Sequence, residues 1–94
     1  RLADSLNALA RLYTSYNQST WDPARAISLA TRACELLQWK SARHLETLAS
    51  AYADSGDFKL AMKHQSAALK LLGQHDARTG RIRLELYKLG QNAR

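Results

Sequence analysis

The same pattern of residues occurs twice along this chain at almost the same spacing. Leu6, Leu9, Ala10 and Tyr13 recur 39 positions later as Leu45, Leu48, Ala49 and Tyr52. Seven further residues between 22 and 37 recur 35 positions later between 57 and 72: Asp22, Ala26, Ile27, Ala33, Cys34, Leu36 and Leu37 correspond to Asp57, Ala61, Met62, Ala68, Leu69, Leu71 and Leu72. The four-residue difference is explained by a longer loop after Tyr13. A period of about 35 residues with apolar side chains three and four apart predicts stacked helical hairpins, that is, an α-solenoid.

The composition also favours an all-α fold. Among the 94 residues there are sixteen Ala and sixteen Leu, but only two Ile and no Val. Ala and Leu are strong helix formers, whereas pleated sheets select β-branched residues. No apolar run approaches the roughly 20 residues that a membrane-spanning helix needs, so we expect no membrane partner. The chain begins at Arg1 rather than Met, so we expect it to be a piece of a longer protein.

Capping residues divide the chain into five predicted helices, over about 4–16, 23–39, 42–54, 58–72 and 77–89. The predicted N-caps are Asp22 (followed by Pro23), Ser41, Asp57 and Asp76, and the predicted C-terminal glycines are Gly56, Gly73 and Gly90. The apolar stripe of the first helix is predicted at Leu2, Leu6, Leu9, Tyr13 and Tyr16, and that of the last at Ile82, Leu86 and Leu89. Small residues, predicted where two helices approach closely, are Ala10, Ala26, Ala33, Ala49, Ala61 and Ala68.

The second repeat resembles the tetratricopeptide repeat at that family's spacing. The matching residues are Leu45, Leu48, Ala49, Tyr52, Gly56, Asp57, Phe58, Ala61 and Ala68. The main departures are Gln65, where the family usually has an aromatic residue, and Gly73, where Pro is usual. The first repeat is a looser match because of its longer loop and Trp21-Asp22-Pro23. We therefore predict one domain over 1–94, with repeat 1 at about 2–39, repeat 2 at about 41–73 and a capping helix at about 76–90.

The resemblance implies a right-handed α-solenoid whose first helices line a concave groove that binds a peptide or protein segment. Carried over, the candidate groove residues are Asn7, Arg11, Thr14, Arg43, Glu46, Thr47, Ser50 and Asp54, with Asp4 and Ser15 beside them. These polar side chains are expected to be exposed. The predicted function is therefore a non-enzymatic interaction module, and the alternative is a structural spacer or self-association segment of a larger protein.

The family's peptide-carboxylate clamp fits this chain poorly. The corresponding positions hold Asn7, Arg11 and Thr47, with Arg81 as a possible later basic residue. Two of the four have suitable chemistry, but their order differs from the family's Lys and Asn arrangement. A clamp of that kind is therefore not expected.

The positive charge offers a third interpretation. Fourteen Lys and Arg against eight Asp and Glu give a net charge of +6, and Arg78, Arg81 and Arg83 lie in the last fifth of the chain. These arginines are able to contact phosphates, but no aromatic stacking platform or known nucleic-acid fold accompanies them. Nucleic acid is thus a weaker prediction than an acidic protein partner.

No pattern for catalysis, a metal or a cofactor is present. The chain has no glycine-rich phosphate loop and no nucleophile elbow, and its lone Cys34 is expected on the buried stripe. His44 and His64 are expected at exposed helix positions, and Trp21 on the longer loop is a candidate contact outside the groove. A single cysteine is compatible with a reducing compartment, so a cytoplasmic location is favoured.

Overall fold

The computed structural model describes residues 1–14, 19–72 and 77–91, and these contain five α-helices and no strand. The helices are α1 (Leu2–Leu12), α2 (Pro23–Leu36), α3 (Ala42–Asp54), α4 (Phe58–Leu71) and α5 (Ala77–Lys88). The all-helical prediction is confirmed for the described residues. The end predicted at Tyr16, the groove position Ser15, and the caps at Gly73 and Asp76 lie outside them.

Side-chain caps fix the starts of three helices at the predicted residues. The backbone N–H of Arg25 donates to Oδ1 of Asp22 at 3.2 Å, and Leu60 donates to Asp57 in the same way at 3.1 Å. Ser41 caps α3 through a longer contact of 3.4 Å from the N–H of His44. Each cap supplies an acceptor to an N–H that has no partner within the helix.

The end of α2 differs from its prediction. The helix stops at Leu36 rather than near Trp39, and Gln38 and Trp39 follow with φ of 56° and 60°. The left-handed region is unfavourable for residues that carry a Cβ. It is held here by a hydrogen bond of 2.8 Å from the N–H of Trp39 to the carbonyl oxygen of Cys34. No glycine marks this turn, so its position was not evident from the sequence.

Each helix packs against the next one along the chain, and α1 also contacts α3. The six alanines predicted at close approaches are all fully buried. One apolar cluster comprises Ala10, Ala30, Cys34, Leu45, Leu48 and Ala68, and a second comprises Ala49, Ala53, Ala61 and Tyr87. Small residues between neighbouring helices thus allow the close packing that the composition predicts.

The buried face of α1 is not the predicted leucine stripe. Leu2 is 58% exposed and Leu9 is also exposed, whereas Ala3 and Asn7 are buried beside Leu6. The small Ala3 and Ala10 let α1 approach its neighbours closely, and this rotates the larger leucines outward. The prediction from apolar periodicity is therefore wrong for part of this helix.

The predicted apolar stripe of α5 is also wrong in part. Ile82 and Leu89 are exposed, the latter by 71%, while Ala77, Gly80 and Tyr87 are buried. Gly80 brings α5 close to α4, because a Cβ at this position would lie only 2.8 Å from Cδ2 of Leu69. The buried residues of α5 thus include its smallest residue and its one tyrosine, and of the predicted stripe only Leu86 is partly buried.

A candidate binding cleft lined by arginines

A polar cleft of about 160 Å³ lies where α1, α3 and α5 come together. Seven residues line it: Arg11, Thr14, Arg43, Glu46, Thr47, Ser50 and Arg83. Six of them belong to the predicted groove. The structure therefore brings together side chains from both repeats and from the last helix.

Two of the predicted groove residues do not line this cleft. Asn7 is buried between the helices, and its Oδ1 has no hydrogen-bond partner among the described residues. Asp54 is partly buried at the C-terminal end of α3. The cleft thus contains fewer of these residues than the predicted groove does.

The expectation that the groove side chains are exposed is wrong for Asn7, Thr14, Thr47 and Ser50, which are all buried. The two threonine hydroxyls donate to carbonyl oxygens of the preceding turn. Thr14 donates to Arg11 at 2.7 Å, and Thr47 donates to Arg43 at 3.3 Å. Because these short side chains satisfy their own hydroxyl groups, they can be buried on the wall of the cleft, where they present only acceptor oxygens.

Glu46 is the acidic side chain on the cleft wall, and it accepts a hydrogen bond from a residue that does not line the cleft. Nε2 of Gln65, a fully buried residue of α4, donates to Oε2 of Glu46 at 3.0 Å and to the carbonyl oxygen of Gly80 at 3.2 Å. Gln65 therefore connects α3, α4 and α5 directly behind the cleft. The polar residue found where the tetratricopeptide family has an aromatic one thus makes two buried hydrogen bonds.

The charge of the cleft is positive, with three guanidinium groups against the single carboxylate of Glu46. The basic residue supplied by α5 is Arg83, whereas Arg81 is exposed and does not line the cleft. Arg78 is also exposed outside it. Only one of the three α5 arginines therefore lines the cleft. The sequence analysis considered Arg81 as the later basic residue, and which arginine of α5 lines the cleft depends on how that helix is rotated against α4.

Tyr87 is a buried residue of α5 that does not line the cleft. It is only 1% exposed, and its hydroxyl has no hydrogen-bond partner of standard geometry among the described residues. Burial raises the pKa of this hydroxyl above its usual value. Arg83 and the interaction with Ser50 lower the pKa, whereas Asp54 and Glu46 raise it.

His44 is buried rather than exposed, which corrects the prediction. Its Nδ1 is 2.6 Å from Oγ of Ser41, and its Nε2 lies 3.3 Å from Oδ1 of Asp4 without meeting the geometry of a hydrogen bond. The contacts join the start of α3 to the start of α1. The role of His44 is therefore to connect the two hairpins.

His64 is half-buried within an aromatic stack, so its predicted exposure is also wrong. Its ring lies between Trp39 at 6.0 Å and Tyr52 at 5.4 Å, with interplanar angles of 17° and 11°. Burial, together with the positive charge of Lys63, holds the pKa of His64 below its usual value. Trp21 is 51% exposed, as predicted, but Trp39 is also 41% exposed.

Cys34 is buried, as predicted from its place on the apolar stripe of α2. Burial, with a smaller contribution from Glu35, raises the pKa of its thiol to about 11. The thiol is therefore protonated at neutral pH and unsuited to act as a nucleophile. Within 1–14, 19–72 and 77–91, no group of three His, Cys, Asp or Glu side chains is placed to hold a metal ion.

A second concavity lies between α1 and α2. It measures about 810 Å³ and is lined by Leu2, Leu6, Ser28, Leu29, Thr31, Arg32, Glu35 and Leu36. Leu2 and Leu36 are both exposed. We refer to these residues as the outer groove. Half of its lining residues are leucines, two of them exposed, and the other half are polar or charged, whereas every residue that lines the cleft is polar or charged.

Among the described helices, none has the length and apolar character needed to cross a bilayer. Comparisons with protein-family models, with curated proteins and with solved structures returned no match for this chain. The tetratricopeptide resemblance therefore stays a prediction from the residues quoted above.

Proposed function

We propose that this chain is a non-enzymatic interaction module of the tetratricopeptide type, and that it binds a peptide or protein segment in the cleft between α1, α3 and α5. The observation that carries the proposal is the convergence of six predicted groove residues, from two repeats, on one concave surface. Concave sites with a few convergent polar groups are the usual place for ligand recognition.

The arrangement of the helices supports the solenoid on which this proposal depends. Each helix packs against the next one along the chain, and α1, which begins the first hairpin, also contacts α3, which begins the second. Small residues lie at the contacts of both hairpins, at Ala10 and at Ala49. In a stack of hairpins built in this way, the first helices lie side by side and form one continuous surface.

The positive charge of the cleft favours an acidic segment as its ligand. Guanidinium groups bind carboxylate and phosphate oxygens through paired N–H donors, and such charge-assisted hydrogen bonds are stronger than neutral ones. Arg43 and Arg83 form no ion pair within the described part of the chain. Both can therefore turn to a ligand without breaking an internal contact.

A peptide-display selection against the folded chain tests the proposal. We expect enrichment of acidic peptides, and we expect their binding to fall at least about tenfold in the double variant Arg43→Glu/Arg83→Glu, because two attractive charges become repulsive. The control is Arg78→Glu/Arg81→Glu, which makes the same change in net charge outside both the cleft and the outer groove. Peptides that bind the cleft variant as tightly as the wild type would contradict the proposal, provided that circular dichroism shows unchanged helicity.

A second candidate function, self-association or packing against further repeats, is favoured by the outer groove. Leu2 and Leu36 present apolar surface at the first hairpin, where a stack of repeats would continue. An open apolar face of this kind in a repeat protein is usually covered by a neighbouring unit.

Sedimentation velocity over a range of concentrations tests this candidate. If the outer groove drives self-association, the wild type forms concentration-dependent oligomers and Leu2→Asp/Leu36→Asp stays monomeric. A wild type that is monomeric at every concentration would rule out self-association as the function of this isolated chain.

A further inference from the structure

The hydrogen-bond donors on the cleft wall indicate which chemical group the ligand carries. Arg11 and Arg43 are contributed by the two repeats and Arg83 by α5, so guanidinium groups surround the cleft from three helices. Arg is the side chain best suited to phosphate, because its planar N–H groups match two oxygens at once. Several such groups around one small cavity point to a ligand with many acceptor oxygens.

The net charge of the lining residues leads to the same ligand. Three guanidiniums against the carboxylate of Glu46 leave two positive charges. A phosphate monoester carries about 1.5 to 2 negative charges at pH 7, whereas a carboxylate carries one. Glu46 opposes any anion, but its Oε2 is already bound by Nε2 of Gln65 at 3.0 Å, which reduces this repulsion.

The distribution of the other arginines favours one phosphate group rather than a polyanion. Arg78 and Arg81 are exposed on α5 but do not line the cleft, so they do not add to the donors that surround it. A nucleic-acid backbone requires a longer track of basic side chains. The cleft is also small, at about 160 Å³ against about 810 Å³ for the outer groove.

We propose that the cleft binds the phosphate group of a phosphorylated peptide segment, with Arg43 and Arg83 as its main ligands. This inference rests on the proposed function, because it specifies the group recognised by the same cleft. Ser50 supplies a hydroxyl at the wall. Thr14 and Thr47 do not donate to the phosphate, because their hydroxyl hydrogens are bound to backbone carbonyls.

Two peptide pools with mixed flanking residues test the proposal, one with a fixed central phosphoserine and one with serine at that position. Binding is measured by fluorescence anisotropy with labelled pools. The wild type is expected to bind the phosphoserine pool at least about tenfold more tightly. Arg43→Gln/Arg83→Gln removes this difference, whereas Arg78→Gln/Arg81→Gln, with the same loss of charge outside the cleft and the outer groove, retains it.

A further measurement keeps the test independent of the stability of that variant. With wild-type protein, affinity for the phosphoserine pool falls as the pH drops from 7.5 to 5, because the phosphate gains a proton near pH 6. No such fall is expected for the serine pool.

The outcomes separate this inference from the proposed function. Equal binding of both pools, lost in Arg43→Gln/Arg83→Gln, overturns phosphate recognition but supports peptide binding in the cleft. If neither pool binds but display-selected acidic peptides do, phosphate recognition is likewise overturned and peptide binding in the cleft is supported. Inorganic phosphate or a short single-stranded oligonucleotide that binds more tightly than the phosphoserine pool overturns the assignment of the ligand as a phosphopeptide.

Discussion

The side-chain amide of Gln65 donates a hydrogen bond of 3.0 Å to the carboxylate of Glu46, and this pair joins the core of the helix stack to the wall of the cleft. The same amide nitrogen also reaches the carbonyl oxygen of Gly80 at 3.2 Å. Three helices thus share one buried donor. The geometry of the cleft therefore depends on a residue that does not line it.

Gln65→Glu should strongly destabilise the fold at pH 7, by at least about 3 kcal/mol, because a second carboxylate would be buried beside Glu46. The introduced carboxyl has its pKa raised by burial and by this neighbour, so it regains its proton as the pH falls. Urea unfolding at pH 7 and at pH 4.5 checks this. The difference in the free energy of unfolding between the variant and the wild type should be smaller at the lower pH. Gln91→Glu, at an exposed position, is the control. A difference of the same size at both pH values would contradict the buried pair.

Gly80→Ala should lower the free energy of unfolding by about 1 kcal/mol, even though Ala is the better helix former by a similar amount. The new Cβ would lie 2.8 Å from Cδ2 of Leu69 and 3.1 Å from Nε2 of Gln65. The leucine methyl can rotate away, but the amide is held by two hydrogen bonds. Thr79→Ala on the exposed side of α5 is the matched control, and it should stabilise slightly. A Gly80→Ala variant more stable than the wild type would show that α5 does not pack closely on α4.

Gln38→Gly should stabilise the chain by about 0.5–1 kcal/mol. Gln38 has φ of 56°, and glycine avoids the Cβ penalty of the left-handed region, an advantage reduced by the greater entropy of glycine in the unfolded chain. Thermal unfolding measures the effect. Lys40→Gly, two residues on and without positive φ, should be neutral or destabilising. If both glycine variants lose stability equally, the turn after α2 is not left-handed.

Cys34 should react slowly with iodoacetamide in the folded chain. At pH 8, a thiol with a pKa of about 11 has roughly a hundredth of the thiolate of one at its ordinary value of 9.0. Because the folded pKa is raised, the unfolded state loses its proton first, and stability should therefore fall as the pH rises above about 9. Alkylation rates in buffer and in urea, followed by mass spectrometry, provide the measurement. Equal rates in the two conditions would show that the thiol is accessible.

His64 should make the fold less stable under mildly acidic conditions. Its pKa is lowered by burial in the aromatic stack and by Lys63, so below about pH 6.5 the unfolded chain takes up a proton that the folded chain resists. Stability is therefore complete above the unfolded pKa and declines as the pH falls below it. His64→Gln should flatten the pH dependence of urea unfolding between pH 7 and 5. An unchanged slope in that variant would contradict the stacked, neutral histidine.

Local signals in the sequence were sufficient to predict the starts of α2, α3 and α4, whereas α1 begins at Leu2 without a side-chain cap and not near residue 4. An Asp or Ser that precedes a helix caps it through atoms only three residues apart, so Asp22, Ser41 and Asp57 were found without knowledge of the tertiary structure. The two left-handed residues after α2 gave no such signal, since neither Gln38 nor Trp39 is typical of that conformation.

The buried faces of the first and last helices were harder to predict. Leu9 and Ile82 are exposed while Ala3 and Gly80 are buried, because close approach of two helices favours small residues over the most apolar ones. Periodicity locates a stripe but does not determine how the helix rotates against its neighbours. For the same reason, the sequence did not single out Arg83, which lines the cleft together with six of the predicted groove residues, whereas Arg81 does not line it.

The most direct test of the account is a map of backbone amide chemical-shift changes when the tightest display-selected acidic peptide is added to the labelled chain. If the cleft is the binding surface, the largest changes occur over residues 43–50 of α3, with others at Arg11 and Arg83. The same experiment on Arg43→Glu/Arg83→Glu should show almost none. The largest changes at Leu29 and Leu36 in the outer groove, with none over 43–50, would contradict a peptide-binding cleft between α1, α3 and α5.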